Sequence, residues 1–217
     1  MAEHINKDQI IEAVLNTAFY KSVGATSLTD IANALNIKKA SLYNHFSNRD
    51  DIIESTVASC QEYYQAITFI PANYQEVCKK YSPETVLKGI VNRYFKMHEK
   101  SPLFQIYTYV HSQKYFNHSC AKIVEDERTK IINQTLQVLL ALGENGKCVL
   151  TKSNALCAAT WFCSGVNDML NIYLLKRKDI IVKNPASGKG ELFQLEADEE
   201  ALQKIDAFVD NFTMFIK

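Results

Sequence analysis

Residues 25–54 read ATSLTDIANALNIKKASLYNHFSNRDDIIE and carry the signals of two short helices and the start of a third. Ser27 and Asp30 stand three residues apart, where a hydroxyl and a carboxylate can cap the same helix N-terminus. Apolar residues recur at helical spacing after this cap. Asn36 then favours a tight turn, because Asn tolerates positive φ. The pattern predicts a short helix that ends at this turn.

A second helix is predicted from about Lys38, on the far side of the turn. Leu42 and Phe46 are four residues apart and therefore face the same, inner side. Between Lys38 and Arg49 there are three fixed positive charges and no acid. Two short helices joined in this way are typical of the helix-turn-helix, which lays its second helix in the DNA major groove. An ordinary amphipathic hairpin with a solvated polar face is the alternative interpretation.

At these residues the sequence resembles the TetR family of bacterial transcriptional repressors. The resemblance rests on TSLTDIA (residues 26–32), NI (36–37), LYNHF (42–46) and RDDI (49–52), and it extends over about residues 7–57. The family usually has Gly at position 36 and Lys at position 49. Asn can take the same turn and Arg keeps the charge. The resemblance implies a double-stranded DNA operator as partner and repression that a small-molecule effector relieves.

The helix-turn-helix supplies the candidate DNA contacts. Side chains expected to hold phosphates and fix the register are Ser27, Thr29, Tyr43, His45 and Arg49. Side chains expected to read base edges are Lys38, Lys39, Ser41 and Asn44. Tyr43 has a second interpretation as a packing residue, since its ring can be buried while its hydroxyl points outward.

Composition favours a compact, helix-rich protein. The 217 residues are 47% hydrophobic and include only seven Gly and four Pro, with a formal net charge of zero. We expect an all-α fold in which residues 1–57 form a three-helix DNA-binding domain and residues 58–217 a larger helical ligand-binding and dimerisation domain. No secretory signal and no stretch near the roughly 20 apolar residues of a membrane span are present. We expect a cytoplasmic protein without membrane contact.

Local signals predict the helix ends. The first helix is expected over residues 7–20, with Gly24 supplying its C-terminal turn. Later helices are expected to begin after the cap Ser47-Asn48, at Pro83 with Ser82 as its cap, at Ser101-Pro102, at about residue 119, after the cap Ser153 and at about residue 198. A polar loop is expected over residues 184–196. The helix over residues 119–142 is predicted to expose Glu125, Asp126, Glu127 and Arg128.

The last two long helices carry more apolar surface than one small domain needs. This excess indicates a partner subunit, because a two-fold dimer lets one patch meet its own copy. A homodimer would read two half-sites about one or two helical turns apart, so the operator is expected to be an inverted repeat.

The C-terminal helices carry aromatic and polar side chains that could enclose an apolar or aromatic effector. These candidates are Tyr94, Met97, His98, Phe104, Tyr107, His111, Phe116, Trp161, Phe162 and Asn167. Aromatic residues at helical spacing are also the ordinary content of a helical core. Both interpretations are open, and no cofactor or metal is expected.

Two further classes of function compete with DNA binding. Six cysteines, at 60, 78, 120, 148, 157 and 163, lack metal-finger spacing and are expected to be buried apolar residues, with a redox role conceivable at Cys157 or Cys163. An enzyme could pair one of these thiols with His98 or His111, but no spacing requires it and we predict no enzyme. A helical dimer that only carries a hydrophobic ligand is the other alternative.

Overall fold

The computed structural model describes residues 5–184 and 198–217, and these residues form an all-α fold, as predicted. The polar loop predicted over residues 184–196 lies, apart from Asn184, outside these ranges. None of the helices in the described part of the chain is long and apolar enough to cross a membrane.

Ten helices follow one another in the described residues. They are Lys7–Lys21 (α1), Leu28–Ala34 (α2), Lys39–Leu42 (α3), Arg49–Ala66 (α4), Tyr74–Lys80 (α5), Pro83–His98 (α6), Leu103–Gln113 (α7), His118–Glu144 (α8), Lys152–Lys183 (α9) and Glu199–Ile216 (α10).

The first compact unit comprises Met1–Ile67 and Ser101–Asp126, so α7 and the start of α8 join α1–α4. Phe19 of α1 packs edge-on against Phe104 of α7, with 5.0 Å between ring centroids. Such a pair stabilises by about 0.5–1.5 kcal/mol beyond its buried area. The predicted boundary between residues 57 and 58 assigned α7 to the C-terminal domain, and it did not anticipate that α7 packs with the N-terminal helices.

The second compact unit comprises Thr68–Lys100 and Glu127–Lys217. Its core includes Phe162 of α9, whose ring lies 5.6 Å from Phe208 and 4.6 Å from Phe212 of α10. The Nζ of Lys88 on α6 lies 2.8 Å from the Oδ2 of Asp210, which ties α6 to α10 at the surface. Aromatic packing therefore joins α9 to α10 within this unit.

Helix starts agree closely with the local signals. The side chains of Ser27, Asn48 and Ser82 accept hydrogen bonds from the backbone N–H three residues on, as expected of N-caps. The prediction of Ser153 as a cap was wrong by two residues. The helix α9 begins at Lys152 and Thr151 is its N-cap, with the Thr151 N–H donating to the Asn154 side chain.

The end of α1 also differs from the prediction. Ser22, with φ of 94°, takes the unusual backbone conformation that follows the helix, whereas Gly24 does not have positive φ. The Ser22 hydroxyl lies near the Ala25 N–H, and its carbonyl accepts from the Thr26 hydroxyl at 2.7 Å. These local bonds support a conformation that Gly would have adopted without them.

Candidate nucleic-acid interface

The N-terminus of α2 is fixed by a reciprocal pair of hydrogen bonds. The Asp30 N–H donates to the Ser27 Oγ at 3.1 Å, and the Ser27 N–H donates to the Asp30 Oδ2 at 3.0 Å. Lys21 at the end of α1 reaches the other Asp30 oxygen at 2.6 Å. The Lys21 hydrogen bond, followed by the one from the Ser27 backbone, lowers the pKa of Asp30 well below its usual range. This cap joins the ends of α1 and α2.

The turn between α2 and α3 has the geometry predicted for it. Asn36 has φ of 54°, in the left-handed region, and the Ile37 N–H donates to the Ala32 carbonyl at 2.9 Å. The Asn in place of the more usual Gly therefore closes the turn through positive φ. Its cost is small because Asn is among the residues that tolerate this region.

The second helix of the motif is shorter than predicted. Only Lys39–Leu42 is α-helical, and residues 43–45 continue as turns, with the Phe46 N–H donating to the Leu42 carbonyl at 3.1 Å. The fully buried Leu42 and Phe46 side chains hold both ends of this segment to the core. Both side chains point to the core, and the other side chains from Lys38 to His45 are exposed or half-buried and form one surface.

That outward surface, residues 38–45, contains the predicted base-reading side chains. Lys38, Lys39 and Asn44 are exposed and Ser41 is half-buried. Tyr43 is 48% exposed, so the structure favours the outward of its two interpretations. None of the eight residues is acidic. The surface offers two ammonium groups, an amide, two hydroxyls and an imidazole, which are groups that hydrogen-bond to base edges and phosphates.

The predicted phosphate contacts flank this surface on two elements. Thr29 and Ser27 stand exposed at the start of α2, and Arg49 stands exposed at the start of α4. The Arg49 Nη2 lies 3.4 Å from the Thr26 carbonyl, which holds the guanidinium beside the start of α2. The Ser27 hydroxyl is already bonded to Asp30 at 2.7 Å. A phosphate at Ser27 would therefore compete with the cap.

Acidic residues follow Arg49 directly in the sequence, and one of them, Asp51, is held by hydrogen bonds at the start of α4. Asp51 accepts the Ser47 N–H at 2.8 Å, and its own N–H donates to the Asn48 side chain at 2.9 Å. Its charge lies at the N-terminus of α4, where a negative charge interacts favourably with the helix dipole. The net positive character of residues 38–49 is therefore kept although acids come next in the sequence.

The predicted effector residues fall into two groups. The second unit brings Tyr94, His98 and Asn167 together: the Tyr94 hydroxyl lies 3.0 Å from the Asn167 Oδ1, and the Tyr94 and His98 rings lie 4.3 Å apart. Met97 follows on the same helix and is half-buried. On α9, Phe162 is buried, whereas Trp161 is 49% exposed and packs against Phe215 at 5.3 Å.

The remaining candidates belong to the first unit. Phe104 packs on Phe19, and Tyr107 stacks on His111 with 3.8 Å between centroids. Phe116 is 86% exposed after α7, so it is not enclosed by its own unit. The predicted set is therefore divided between the two units: its α6 and α9 members belong to the second unit, and the four residues from 104 to 116 belong to the first.

One polar residue of the second unit was missed by the sequence analysis. Glu127 was predicted to be exposed, but it is 6% exposed, and this prediction was wrong. Its Oε1 lies 3.3 Å from the Tyr94 hydroxyl and 3.4 Å from the His98 Nε2. The signal was present in the sequence, because position 127 falls on the inner stripe of α8. That stripe consists of Cys120, Ile123, Ile131, Thr135, Val138 and Leu142.

The cysteines behave mostly as small core residues. Cys60, Cys78, Cys120 and Cys163 are buried, and Cys157 is exposed on α9. Burial raises the pKa of Cys163 to about 11 and that of Cys60 to about 12. A thiol with so high a pKa is a poor nucleophile at neutral pH.

The comparisons with known proteins agree with this geometry. Residues 10–56 match the family model described as bacterial regulatory proteins, tetR family. The chain is similar to the biofilm operon icaADBC negative transcriptional regulator IcaR of Staphylococcus epidermidis, with 37% identity over 70 residues, which is 32% of this chain. The matched segment spans 37% of that relative's own length.

Solved structures resemble the chain over nearly its whole length. A transcriptional regulator from Rhodococcus sp. Rha1 has a TM-score of 0.61 at 12% identity, with 98% of each chain covered. AibR, solved with isovaleryl coenzyme A and operator DNA, has a TM-score of 0.57 at 14% identity, covering 93% of this chain and 96% of that one. At such low identity these likenesses bear on the fold alone. The match over residues 10–56 and the helix-turn-helix geometry lead to one conclusion: this N-terminal segment is a helix-turn-helix of the kind found in the bacterial tetR family, and the solved structures support the same all-α fold for the whole chain.

Proposed function

We propose that the protein is a transcriptional repressor that binds an inverted-repeat operator as a homodimer and is released by a small, largely apolar or aromatic effector. The observation that carries the DNA-binding part is the contrast along residues 38–46. Leu42 and Phe46 are fully buried, whereas Lys38, Lys39, Tyr43 and Asn44 are exposed with no acid among them. The exposed ammonium, amide and hydroxyl groups can hydrogen-bond to the base edges that a major groove presents.

The names of the similar proteins agree with this proposal. IcaR is called a negative transcriptional regulator, and AibR was solved with both an acyl coenzyme A and operator DNA. Both names describe those proteins. For this chain they support a regulator that answers to a ligand, and they leave the ligand open.

DNA binding is tested by a gel-shift titration of the full chain on the DNA upstream of its own gene, at several salt concentrations. We expect a steep loss of affinity with salt, because each phosphate contact releases a counterion. Lys39→Ala should weaken operator binding by about 1–3 kcal/mol and weaken random-sequence binding less. Lys152→Ala, an exposed lysine of α9, is the control. Failure to bind any duplex at low salt would contradict the proposal and favour a ligand carrier.

The dimer is proposed from exposed apolar side chains on α9 and α10. Leu175 is 68% exposed and Phe215 is 73% exposed, and both helices carry further apolar side chains at the surface. These further residues are Leu156, Trp161, Ile172, Ile180, Val182 and Met214. So much apolar surface on two long helices marks a protein interface, and a two-fold arrangement covers it on both copies at once.

Light scattering after size exclusion tests the dimer. Leu175→Glu combined with Phe215→Glu should give a monomer, since each places a charge in the proposed interface. Phe116→Glu, at an exposed aromatic outside α9 and α10, should leave the mass unchanged. A wild-type monomer at micromolar concentration would overturn this part of the proposal.

The effector site is proposed around Tyr94, His98 and Asn167, with Met97 and Phe162 on the same two helices, α6 and α9; an effector contact at Trp161, which packs on α10 and lies on the proposed dimer face, stays a prediction. The hydroxyl, imidazole and amide supply a few polar contacts among aromatic rings, which is the usual composition of a small-molecule site. Glu127 adds a buried carboxylate to this group. We leave Phe116 out, and the roles of Phe104, Tyr107 and His111 stay predictions.

Trp161 is the only tryptophan of the chain and offers a direct readout. A panel of apolar aromatic compounds should include some that change its fluorescence and release operator DNA over the same concentration range. Asn167→Ala should shift both midpoints together. Release of DNA without any dependence on Asn167 would exclude this cluster as the site.

A further inference from the structure

A second pocket lies in the second unit, apart from the proposed effector cluster. Its volume is about 190 Å³, and it opens between α6, α9 and α10. Phe95, Met169 and Ile205 form apolar walls, and the side chains of Lys176, Glu200 and Lys204 line it as well. None of these residues is among the effector candidates. The pocket combines apolar walls with charged groups, so it has the composition of a site for an amphiphile.

The aromatic wall of the pocket is held in place from behind. The Tyr173 ring packs against Phe95 with 5.2 Å between centroids, and its hydroxyl donates to the Glu99 Oε1 at 2.5 Å. The same carboxylate oxygen lies 2.7 Å from the Nε of Arg177, a nearly buried residue. Tyr173 is therefore locked by an ion pair beneath it. A wall that is already rigid loses little conformational entropy when a ligand binds.

The charges on the pocket favour an anion. The Nζ of Lys204 lies 2.5 Å from the Glu200 Oε1, so these two groups largely neutralise each other. Lys176 makes no hydrogen bond or ion pair within residues 5–184 and 198–217. Its ammonium group nevertheless acts on Glu200, since Lys204 and then Lys176 lower the Glu200 pKa. The three groups together carry one net positive charge.

We propose that this pocket binds a short-chain carboxylate, with the carboxylate between Lys176 and Lys204 and the aliphatic chain against Phe95, Met169 and Ile205. The volume equals about six water molecules of liquid, which is well below the about 300–1,000 Å³ of drug-sized sites. It therefore suits a chain of a few methylene groups. The proposal does not depend on DNA binding.

The test is calorimetric titration of the full chain, without DNA, with butanoate, hexanoate and octanoate. Affinity should rise about fourfold for each methylene that enters the apolar walls and level off once the pocket is full. Hexylamine and hexanol, of the same chain length, should bind at least tenfold more weakly than hexanoate, because they lack the negative charge. Equal binding of hexanol and hexanoate would overturn the proposal, as would the absence of saturable binding by any of the acids.

Two variants locate the site. Lys176→Gln combined with Lys204→Gln should weaken hexanoate binding at least tenfold, and Lys152→Gln combined with Lys183→Gln, elsewhere on α9, should leave it unchanged. Ala201→Phe, at a half-exposed position of the wall, should block binding while circular dichroism reports an intact helical fold. Wild-type affinity in either pocket variant contradicts the proposal.

A second copy of the chain is the competing occupant, since Ile172 belongs both to the pocket lining and to the proposed dimer face. If the pocket is covered in the dimer, hexanoate will bind only to the monomeric Leu175→Glu, Phe215→Glu variant. That result would overturn the carboxylate site in the native protein. Binding of one hexanoate per chain to the wild-type protein supports it.

Discussion

The Nζ of Lys21, at the end of α1, lies 2.6 Å from the Oδ1 of Asp30, in the first turn of α2. This ion pair completes a cap in which Ser27 and Asp30 bond each other's backbone. The start of the helix-turn-helix is thus tied to the helix before it, and the ion pair with Lys21 depends on an ionised Asp30.

Asp30→Asn should therefore lose less free energy of unfolding than the wild type when the pH is lowered. The pKa of Asp30 is lowered in the folded state, so its contribution is present above the unfolded-state value near pH 4 and is lost as the pH falls below it. Urea unfolding of wild type and variant at pH 7 and pH 3 measures this. The difference between the two stabilities at pH 7 should become smaller at pH 3, because the unfolded chain is then largely protonated at this position while the folded protein still holds Asp30 ionised. Asp50→Asn, in the first turn of α4 and outside this cap, is the matched control for the removal of one carboxylate.

Ser27→Ala should lower the free energy of unfolding by about 1 kcal/mol, the usual cost of removing an N-cap. The reason is that the Asp30 N–H loses its acceptor while the rest of the motif stays in place. Thermal unfolding measures the loss, and Ser27→Thr should restore most of it. An unchanged Tm for Ser27→Ala would show that Lys21 and Asp30 hold the helix start alone.

Leu42→Ala and Tyr43→Ala should separate folding from function although they are neighbours. Leu42 is fully buried, so its truncation should cost about 2–5 kcal/mol of stability. Tyr43 is about half exposed, so its truncation should leave the urea midpoint nearly unchanged and reduce operator affinity. Measuring both quantities for both variants checks the assignment of the outward surface. A large loss of stability in Tyr43→Ala would instead support the interpretation of Tyr43 as a packing residue.

Two glycines inside helices should respond in opposite directions to Ala. A Cβ at Gly165 of α9 would lie 2.5 Å from the Phe208 ring, which Phe162 also contacts, so overpacking should cost about 1–3 kcal/mol. At Gly89 of α6 no atom lies within 4 Å of such a Cβ, so Gly89→Ala should gain up to about 1 kcal/mol of helix propensity. Thermal scans of both variants give the comparison. Stabilisation by Gly165→Ala would mean that Phe208 moves aside at little cost.

Thiol labelling should distinguish the two cysteines first considered for a redox role. With its pKa raised to about 11, Cys163 is about one part in a thousand thiolate at pH 8 and is also enclosed. Iodoacetamide should therefore label exposed Cys157 in the native protein and reach Cys163 only in urea. Mass spectrometry of labelled peptides provides the measurement. Labelling of Cys163 as fast as Cys157 would contradict its burial.

Local signals account for most of the fold that the sequence predicted. The caps at Ser27, Asn48 and Ser82 and the turn at Asn36 each depend on residues within three or four positions, so they could be identified without tertiary information. The exposed and buried sides of residues 38–46 followed from helical spacing alone. These are the features on which the DNA-binding surface depends.

The wrong predictions concern residues whose burial depends on contacts with helices that are distant in the sequence. Glu127 was assigned to solvent because it is charged, although its position on the inner stripe of α8 places it beside Tyr94 and His98. The second helix of the motif was expected to continue to Phe46, but α3 ends at Leu42 and residues 43–45 form turns, although Phe46 is buried as expected. The effector residues stay a prediction, and no local signal in the sequence indicates that α7, which carries three of them, belongs to the first unit.

The return of α7 to the first unit has a consequence for recombining such regulators. A fragment that ends at Ile67 would leave Phe19 without Phe104, and Asn16 without the Gln105 amide that donates to it at 3.2 Å. If only the N-terminal residues up to Ile67 were grafted onto another regulator, α1 of this protein would have to pack against α7 of the other protein. Exchange of specificity by such chimaeras should succeed only when residues 101–126 travel with the transplanted segment.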